Sequence, residues 1–257
     1  LYDDVKMNKE DIKITCDSIT FFSKNNKLES TGSPVIQDTE YRLTANKLIY
    51  FTDLDSGIAV GNVELLQNNQ RIKADKIEYR KKSNAVSYLA TGNVKIIDSL
   101  RTATCGLASY DASNEKTILN LKPKIINEDR VINGDQIILN YDNDVLKRIF
   151  IPKNANISSM SEGYGQANHD SSKTVLNFDD RMNSKSLNGF FINGNLDSLR
   201  LVGMASTTYH IFEDSLYKGK NITSGDTIIM RFVEKDLNDI IVSGGSQGEY
   251  VPNPKTN

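Results

Sequence analysis

The sequence lacks most of the features that would place it quickly in a functional class. It has no excess of basic residues: 31 Lys and Arg stand against 33 Asp and Glu, for a net charge of -2. A nucleic-acid binder would need a broad basic face, so that class is disfavoured. It has two cysteines, Cys16 and Cys105, and no CxxC pair, which excludes the usual zinc knuckle or thioredoxin-like motif. Its two histidines, His169 and His210, are far apart and without HExxH spacing; each reads as a surface residue, and no metal site is expected. Asp3-Asp4 and Asp179-Asp180 lack calcium-loop spacing and read as solvated carboxylates. No apolar run approaches the roughly 20 residues of a spanning helix. The chain of 257 residues opens at Leu1 without a signal peptide, which reads as a mature or trimmed chain.

Helical periodicity is nearly absent too. What is there is short alternation, as in Ile72-Lys73-Ala74, Ile77-Glu78-Tyr79 and Val94-Lys95-Ile96, bounded by Gly, Asn, Asp and Ser. Such runs are strands, and many at regular spacing predict an all-β fold.

These strands repeat. Around Ala74 the pattern is Ile72 two residues before, then Asp75, Ile77 and Tyr79. The same pattern surrounds Cys16, Ala45, Cys105 and Gly134, so that the anchors are 29, 29, 31 and 29 residues apart. The unit is apolar-x-small-[Asp/Asn/Gly]-x-apolar-x-[aromatic or Leu]. A second punctuation follows each anchor: Gly32, Gly61, Gly92, then Lys122-Pro123 and Pro152. Gly and Pro both interrupt strands. Each unit is therefore expected to hold four short strands, with a corner in each half and a turn between the halves.

Side-chain parity gives the corner a purpose. Ile72 and Ala74 share a face, whereas Ile77 and Tyr79 have the opposite parity. For all four to point inward, the chain must gain a residue near Asp75-Lys76, as a bulge does. A unit of this kind cannot bury its inner face alone and must stack on its neighbours. Both cysteines fall on the small anchor position, three repeats apart. Counted as one strand step of about 4.8 Å per repeat, their Cα atoms would lie roughly 14 Å apart, beyond the roughly 7 Å limit of a disulfide. Two reduced, mostly buried thiols are expected.

The repeat loosens after residue 142. Ser184 and Gly225 are the next plausible anchors, each followed by a glycine, Gly203 and Gly244. The polar stretch 154–172 reads as a loop or irregular insertion. The expected organisation is repeats over 1–157, a divergent continuation of the same stack over 158–250, and a polar tail or linker over 251–257. Gly244-Gly245-Ser246-Gln247-Gly248 matches GxSxG, but both histidines precede Ser246 and no strand-to-helix context is visible, so a glycine-rich turn explains it better.

The stretches Leu43-Thr44-Ala45-Asn46-Lys47-Leu48-Ile49-Tyr50 and Ile72-Lys73-Ala74-Asp75-Lys76-Ile77-Glu78-Tyr79, with Ala59-Val60-Gly61-Asn62-Val63 and Ala90-Thr91-Gly92-Asn93-Val94, resemble the OstA/LptA family. The resemblance is strong over 14–97, looser to 157 and fragmentary over 182–250. It implies a V-shaped stacked β-jellyroll, or β-taco. It also implies a non-enzymatic role in lipopolysaccharide transport, without a cofactor, in the periplasm or associated with the outer membrane. The family includes a periplasmic bridge protein and the N-terminal domain of the outer-membrane translocon. The implied partners are lipopolysaccharide and other β-jellyroll components of the bridge, met through edge strands, with head-to-tail self-association as a further expectation.

Under that resemblance the slot for acyl chains would be lined by Leu48, Tyr50, Ile58, Val60, Val63, Leu65, Ile77, Tyr79, Ala90, Val94 and Ile96, with Ile137 and Leu139 further on. Covering acyl chains is worth about 0.8 kcal/mol per CH₂. The alternative is that these side chains pack on one another as the closed core of a structural or adhesive β-solenoid with no lipid. A carbohydrate-active enzyme on a β-helix is a third possibility, for which no cluster of carboxylates is visible.

Overall fold

The computed structural model describes residues 2–9, 12–39, 41–67, 69–82, 85–165, 174–234 and 236–253. Among them there are 22 strands and no helix, as the alternation predicts. Two compact units divide after Pro123.

The first unit holds β1 (Tyr2–Lys9), β2 (Ile12–Phe22), β3 (Lys27–Thr31), β4 (Val35–Gln37), β5 (Tyr41–Thr44), β6 (Lys47–Phe51), β7 (Ser56–Gln67), β8 (Gln70–Lys82), β9 (Ala85–Ile97), β10 (Arg101–Asp111) and β11 (Lys116–Asn120). They form two antiparallel half-ladders. One runs β2, β3, β6, β7, β8, β9, β10, β11. The other runs β2, β4, β5, β7, β8, β9, β10. The long strands belong to both, one half on each side of a corner.

The corner is a pair of residues in the left-handed region. Between β7 and β8, Val60 faces Lys76 and Val63 faces Ala74, so Gly61 and Asn62 stand opposite the single Asp75. Gly61 and Asn62 have φ of 79° and 47°. The extra residue flips side-chain parity. Ile72 and Ala74 are buried before the corner, Ile77 and Tyr79 after it. Left-handed pairs recur at Gly32-Ser33, Gly92-Asn93, Leu121-Lys122, Gly203-Met204 and Gly244-Gly245. Outside the long ladders, the residue after each anchor donates its N–H to a corner carbonyl: Asn46 to Gly61 at 2.9 Å, Gly106 to Leu121 at 3.0 Å, Lys185 to Gly203 at 2.8 Å and Asp226 to Gly244 at 2.7 Å. The fourth corner sits one residue earlier than Lys122-Pro123, because proline's fixed negative φ excludes it from a left-handed pair.

The second unit holds β12 (Lys124–Asn127), β13 (Arg130–Asn133), β14 (Gln136–Asp142), β15 (Val145–Ile151), β16 (Ala155–Gly165), β17 (Thr174–Ser184), β18 (Ser186–Ile192), β19 (Asn195–Glu213), β20 (Leu216–Val233), β21 (Asp236–Ser243) and β22 (Gln247–Pro252). One half-ladder runs β14, β15, β18, β19, β20, β21. The other runs β12, β13, β16, β17, β19, β20, β22. The loop expected over 154–172 is not one in its described part: 155–165 is strand β16, paired residue for residue with β17 from Ala155–Ser184 to Gly165–Thr174. A polar strand lacks the alternation that marks a strand in sequence. Residues 166–173 and 254–257 lie outside the described residues. β22 runs to Pro252, so the expected tail begins in a strand.

Cys16 and Cys105 are free and buried, as expected. Their separation is larger than the roughly 14 Å expected from one strand step per repeat. Each repeat adds two strands to each half-ladder, so β2 and β10 are six steps apart, or roughly 29 Å.

The corner can be tested at Gly92. Its φ is +75°, and a Cβ there would collide with the Asp75 carboxylate. Gly194 has φ of +80° but nothing within 4 Å. Gly92→Ala is expected to lower unfolding stability by about 2–4 kcal/mol, and Gly194→Ala by only about 1–2 kcal/mol, in urea titrations followed by circular dichroism. Equal losses would mean that left-handed strain alone, without the carboxylate contact, sets the corner.

Candidate functional site

The inner faces of the first unit's half-ladders are continuous apolar rows. In one, Leu48, Ala59, Ile77, Ala90, Ala108 and Leu119 face each other in succession across β6 to β11. In the other, Ile14, Ile36, Leu43, Leu65 and Ile72 do so across β2 to β8. All are buried. Alanines at 59, 90 and 108 are interspersed among the larger aliphatic side chains of the first row, so large groups from the facing half-ladder have room.

Most of the residues expected in the slot are here. Leu48, Tyr50, Val63, Leu65, Ile77, Tyr79, Ala90 and Val94 are buried on inner faces. Ile96 is half-buried, between Ile72 and Ala103. Ile58 and Val60 are not inner residues. They alternate with buried Gly57 and Ala59, and Val60 is 41% exposed. The small residues face inward on β7 because bulky neighbours flank them: Tyr50 and Tyr79 beside Gly57, Leu48 and Ile77 beside Ala59. A Cβ on Gly57 would meet the Tyr79 ring at 2.6 Å. Ile137 and Leu139 are buried in the second unit, on β14.

Far from the corner, the two half-ladders of the first unit meet through polar groups that the repeat pattern did not reveal. Lys81 Nζ, on β8 in one half-ladder, lies 2.9 Å from Asp38 Oδ2, just after β4 in the other. The Asp38 side chain is wholly buried, and its Oδ1 accepts the Tyr41 N–H at 2.9 Å. The rings of Tyr41 and Tyr79 are 6.2 Å apart across the same junction. Tyr50 Oη donates to Asp55 Oδ1 at 2.8 Å, and the Lys81 N–H donates to the Asp55 carbonyl. Tyr79 Oη is buried with no hydrogen-bond partner among the described residues. The wedge between the half-ladders is thus closed at its mouth by tyrosines and one ion pair. Of these groups only Tyr50 and Tyr79 carry a sequence signal, since they occupy the aromatic position of the repeat; Tyr41, Asp38, Asp55 and Lys81 carry none.

Burial pushes the hydroxyl pKa values of Tyr41 and Tyr79 up. For Tyr41 the Asp38 and Asp55 carboxylates add to it; for Tyr79, so do Tyr41, Tyr50 and both carboxylates.

Outside the wedge, Phe51, Leu54, Ile58, Glu78, Arg80 and Leu89 line an open concavity of about 410 Å³. In the second unit His210 and Asp180 are not the solvated residues that were expected. His210 Nδ1 is 2.6 Å from Asp180 Oδ1, and both side chains are nearly buried. The same oxygen accepts the His210 backbone N–H at 2.8 Å. Phe178 and Tyr217 pack around the imidazole. Asp180 fills this place because the register between β17 and β19 ends at Arg181 and Thr208, leaving the next N–H to be met by a side chain. His169 lies outside the described residues. Ser246 is exposed, directly after the corner glycines Gly244 and Gly245, as the turn reading of GxSxG has it.

A model of the OstA-like protein family matches residues 1–135. Among solved structures, the chain is similar to LptH from Pseudomonas aeruginosa, described as the LptA-homologous periplasmic component of the conserved lipopolysaccharide transport device. Identity is 13%, the TM-score is 0.25, and the match covers 65% of this chain and 93% of that one. No curated protein matches.

The closed mouth makes stability sensitive to alkali. A tyrosine whose folded pKa is raised is stabilising below its unfolded value of about 10 and loses that contribution as pH rises towards the folded value. Urea midpoints are therefore expected to hold up to about pH 9.5 and then fall. Tyr79→Phe should make the fall shallower. An equally steep fall in the variant would place the titrating group elsewhere.

Proposed function

This chain belongs to the OstA-like protein family, and from that premise we propose that it carries lipopolysaccharide through the periplasm with the acyl chains between the half-ladders of its first unit. The observation that carries the reading is the pair of continuous, buried apolar rows facing one another over the corners. A carrier must shield several acyl chains, each CH₂ being worth about 0.8 kcal/mol. Alanines at 59, 90 and 108 leave the row beside Ile77 narrow in side-chain bulk, which favours chains lying along it. Loading then exchanges contacts between the half-ladders for contacts with lipid. Leu48, Tyr50, Val63, Leu65, Ile77, Tyr79, Ala90, Val94 and Ile96 are the lining residues of this reading; Ile137 and Leu139 would serve the second unit in the same way. Residues 158–250 are read as built from the same repeat, on the support of the corners at Gly203-Met204 and Gly244-Gly245.

Partners are proposed at the edges. Among the described residues β1 has a ladder register with β2 alone, and β21 and β22 each with β20 alone. An edge strand with unmet N–H and C=O groups invites strand addition. Other β-jellyroll components of a transport bridge, or a second copy head to tail, would pair there.

One observation favours the packed solenoid instead: the inner residues exclude water as a core does. A photocrosslinking side chain at Ile77 separates the two readings, with Glu78 as the control on the outer face. The carrier requires lipopolysaccharide to crosslink at position 77 and not at 78. A folded protein that crosslinks at neither is a packed solenoid, and the carrier reading falls.

A further inference from the structure

Tyr79 sits where an apolar slot would end. Its ring closes the inner row of β8 and lies over Gly57. Its hydroxyl is buried and without a hydrogen-bond partner among the described residues. A buried donor of this kind is disfavoured unless something accepts from it. Two residues on, and on the same face of the strand, Lys81 holds Asp38 across the mouth. Residues i and i+2 of a strand are about 7 Å apart. One side chain is therefore an O–H at the end of the apolar row, and the next is an ammonium at the rim.

This order matches one class of molecule. In an acylated phosphoglycolipid the alkyl chain ends at an ester or amide carbonyl, and beyond that come the sugar and its phosphate. A chain laid between the half-ladders with its head outward brings the carbonyl to the mouth and the phosphate to the rim. A carbonyl accepts one hydrogen bond from a phenol. An ammonium carries three N–H donors, so a bond to Asp38 does not preclude a second to a phosphate.

We propose that Tyr79 Oη and Lys81 Nζ form a polar subsite at the mouth of the first unit, binding the acyl carbonyl and the headgroup phosphate of an acylated phosphoglycolipid. Asp38 is a positioning residue: its buried carboxylate, fixed by the Tyr41 N–H, holds the ammonium at the rim. This rests on the carrier reading and adds to it the groups that select an acylated, phosphorylated cargo over a plain hydrocarbon.

The test uses the full chain and fluorescent lipopolysaccharide, intact and enzymatically dephosphorylated, with the crosslinker at Ile77 run in parallel. Tyr79→Phe keeps the ring and removes only the hydroxyl. It is expected to weaken binding of both lipids about five- to tenfold while leaving the melting temperature unchanged or higher. Lys81→Gln should weaken binding of the intact lipid and leave the dephosphorylated one at its native affinity; Glu78→Gln on the outer face should alter neither. If Tyr79→Phe binds at native affinity while Ile77 still crosslinks, the subsite is wrong and the carrier stands. A melting temperature lowered by Tyr79→Phe would make the hydroxyl structural and would also overturn the subsite. Absence of crosslinking at Ile77 in the native sequence overturns the carrier reading itself, and the subsite with it.

Discussion

Everything in this molecule depends on left-handed backbone conformation at the corners, taken up by two consecutive residues at all of them but the one facing Asp135, where Asn154 alone adopts it. A strand that simply bent would present alternate side chains to opposite faces on either side of the bend, and the apolar set of one half would point to water. Placing Gly61 and Asn62 opposite Asp75 changes the parity, so Ile72 and Ala74 before the corner and Ile77 and Tyr79 after it all reach the interior. The residue after each anchor, polar in every copy but that of Cys105, then has a fixed task. Its N–H meets a corner carbonyl, and its carboxylate can hold the corner's amide, as Asp75 does for Asn93 and Asp135 for Asn154. The small anchor follows from the same geometry: at the glycine anchors even a Cβ is crowded, one on Gly134 by Ile151 and one on Gly225 by Val242 at 2.7 Å.

With the corners in place, the bulk of each inner residue is set by its neighbours. Gly57 is an inner residue because the Tyr79 ring occupies the space beside it. Ala59 and Ala90 flank Ile77 for the related reason that facing side chains need room. The outer face obeys weaker rules. It accepts lysines, glutamates and scattered aliphatics alike, and its ion pairs, such as Lys76 with Glu78 or Lys73 with Glu64, are exposed enough to contribute little.

This difference explains what could be read in the sequence. Anchors, corners and parity were legible at Cys16, Ala45, Ala74 and Cys105 because each repeats, and repetition survives substitution of any one copy. Ile58 and Val60 misled because hydrophobicity is a poor guide to facing when the inner positions must be small. The spacing of the cysteines misled because a repeat contributes two strands to each half-ladder, a fact of connectivity that composition does not carry. β16 was hidden by its polarity. Asp38, Lys81, Asp180 and His210 occur once each, and they come together only through pairings between residues 30 or more apart. No local pattern announces such contacts.

The mouth of the first unit is also where the chain departs from the cheapest way to close a wedge. Leucines at 38, 79 and 81 would seal it by packing alone, whereas a buried ion pair is often no better than its hydrophobic replacement. An unmatched phenol hydroxyl costs about 1–3 kcal/mol. Polar closure does confer reversibility. Apolar halves pressed together separate only by exposing surface to water, but an ion pair and a hydroxyl can exchange partners with an incoming polar group at little net cost. A wedge meant to stay shut has no use for that property; one that admits and releases an amphiphile requires it, and requires it at the end remote from the corner, where the half-ladders can part without disturbing the left-handed pairs on which the fold rests.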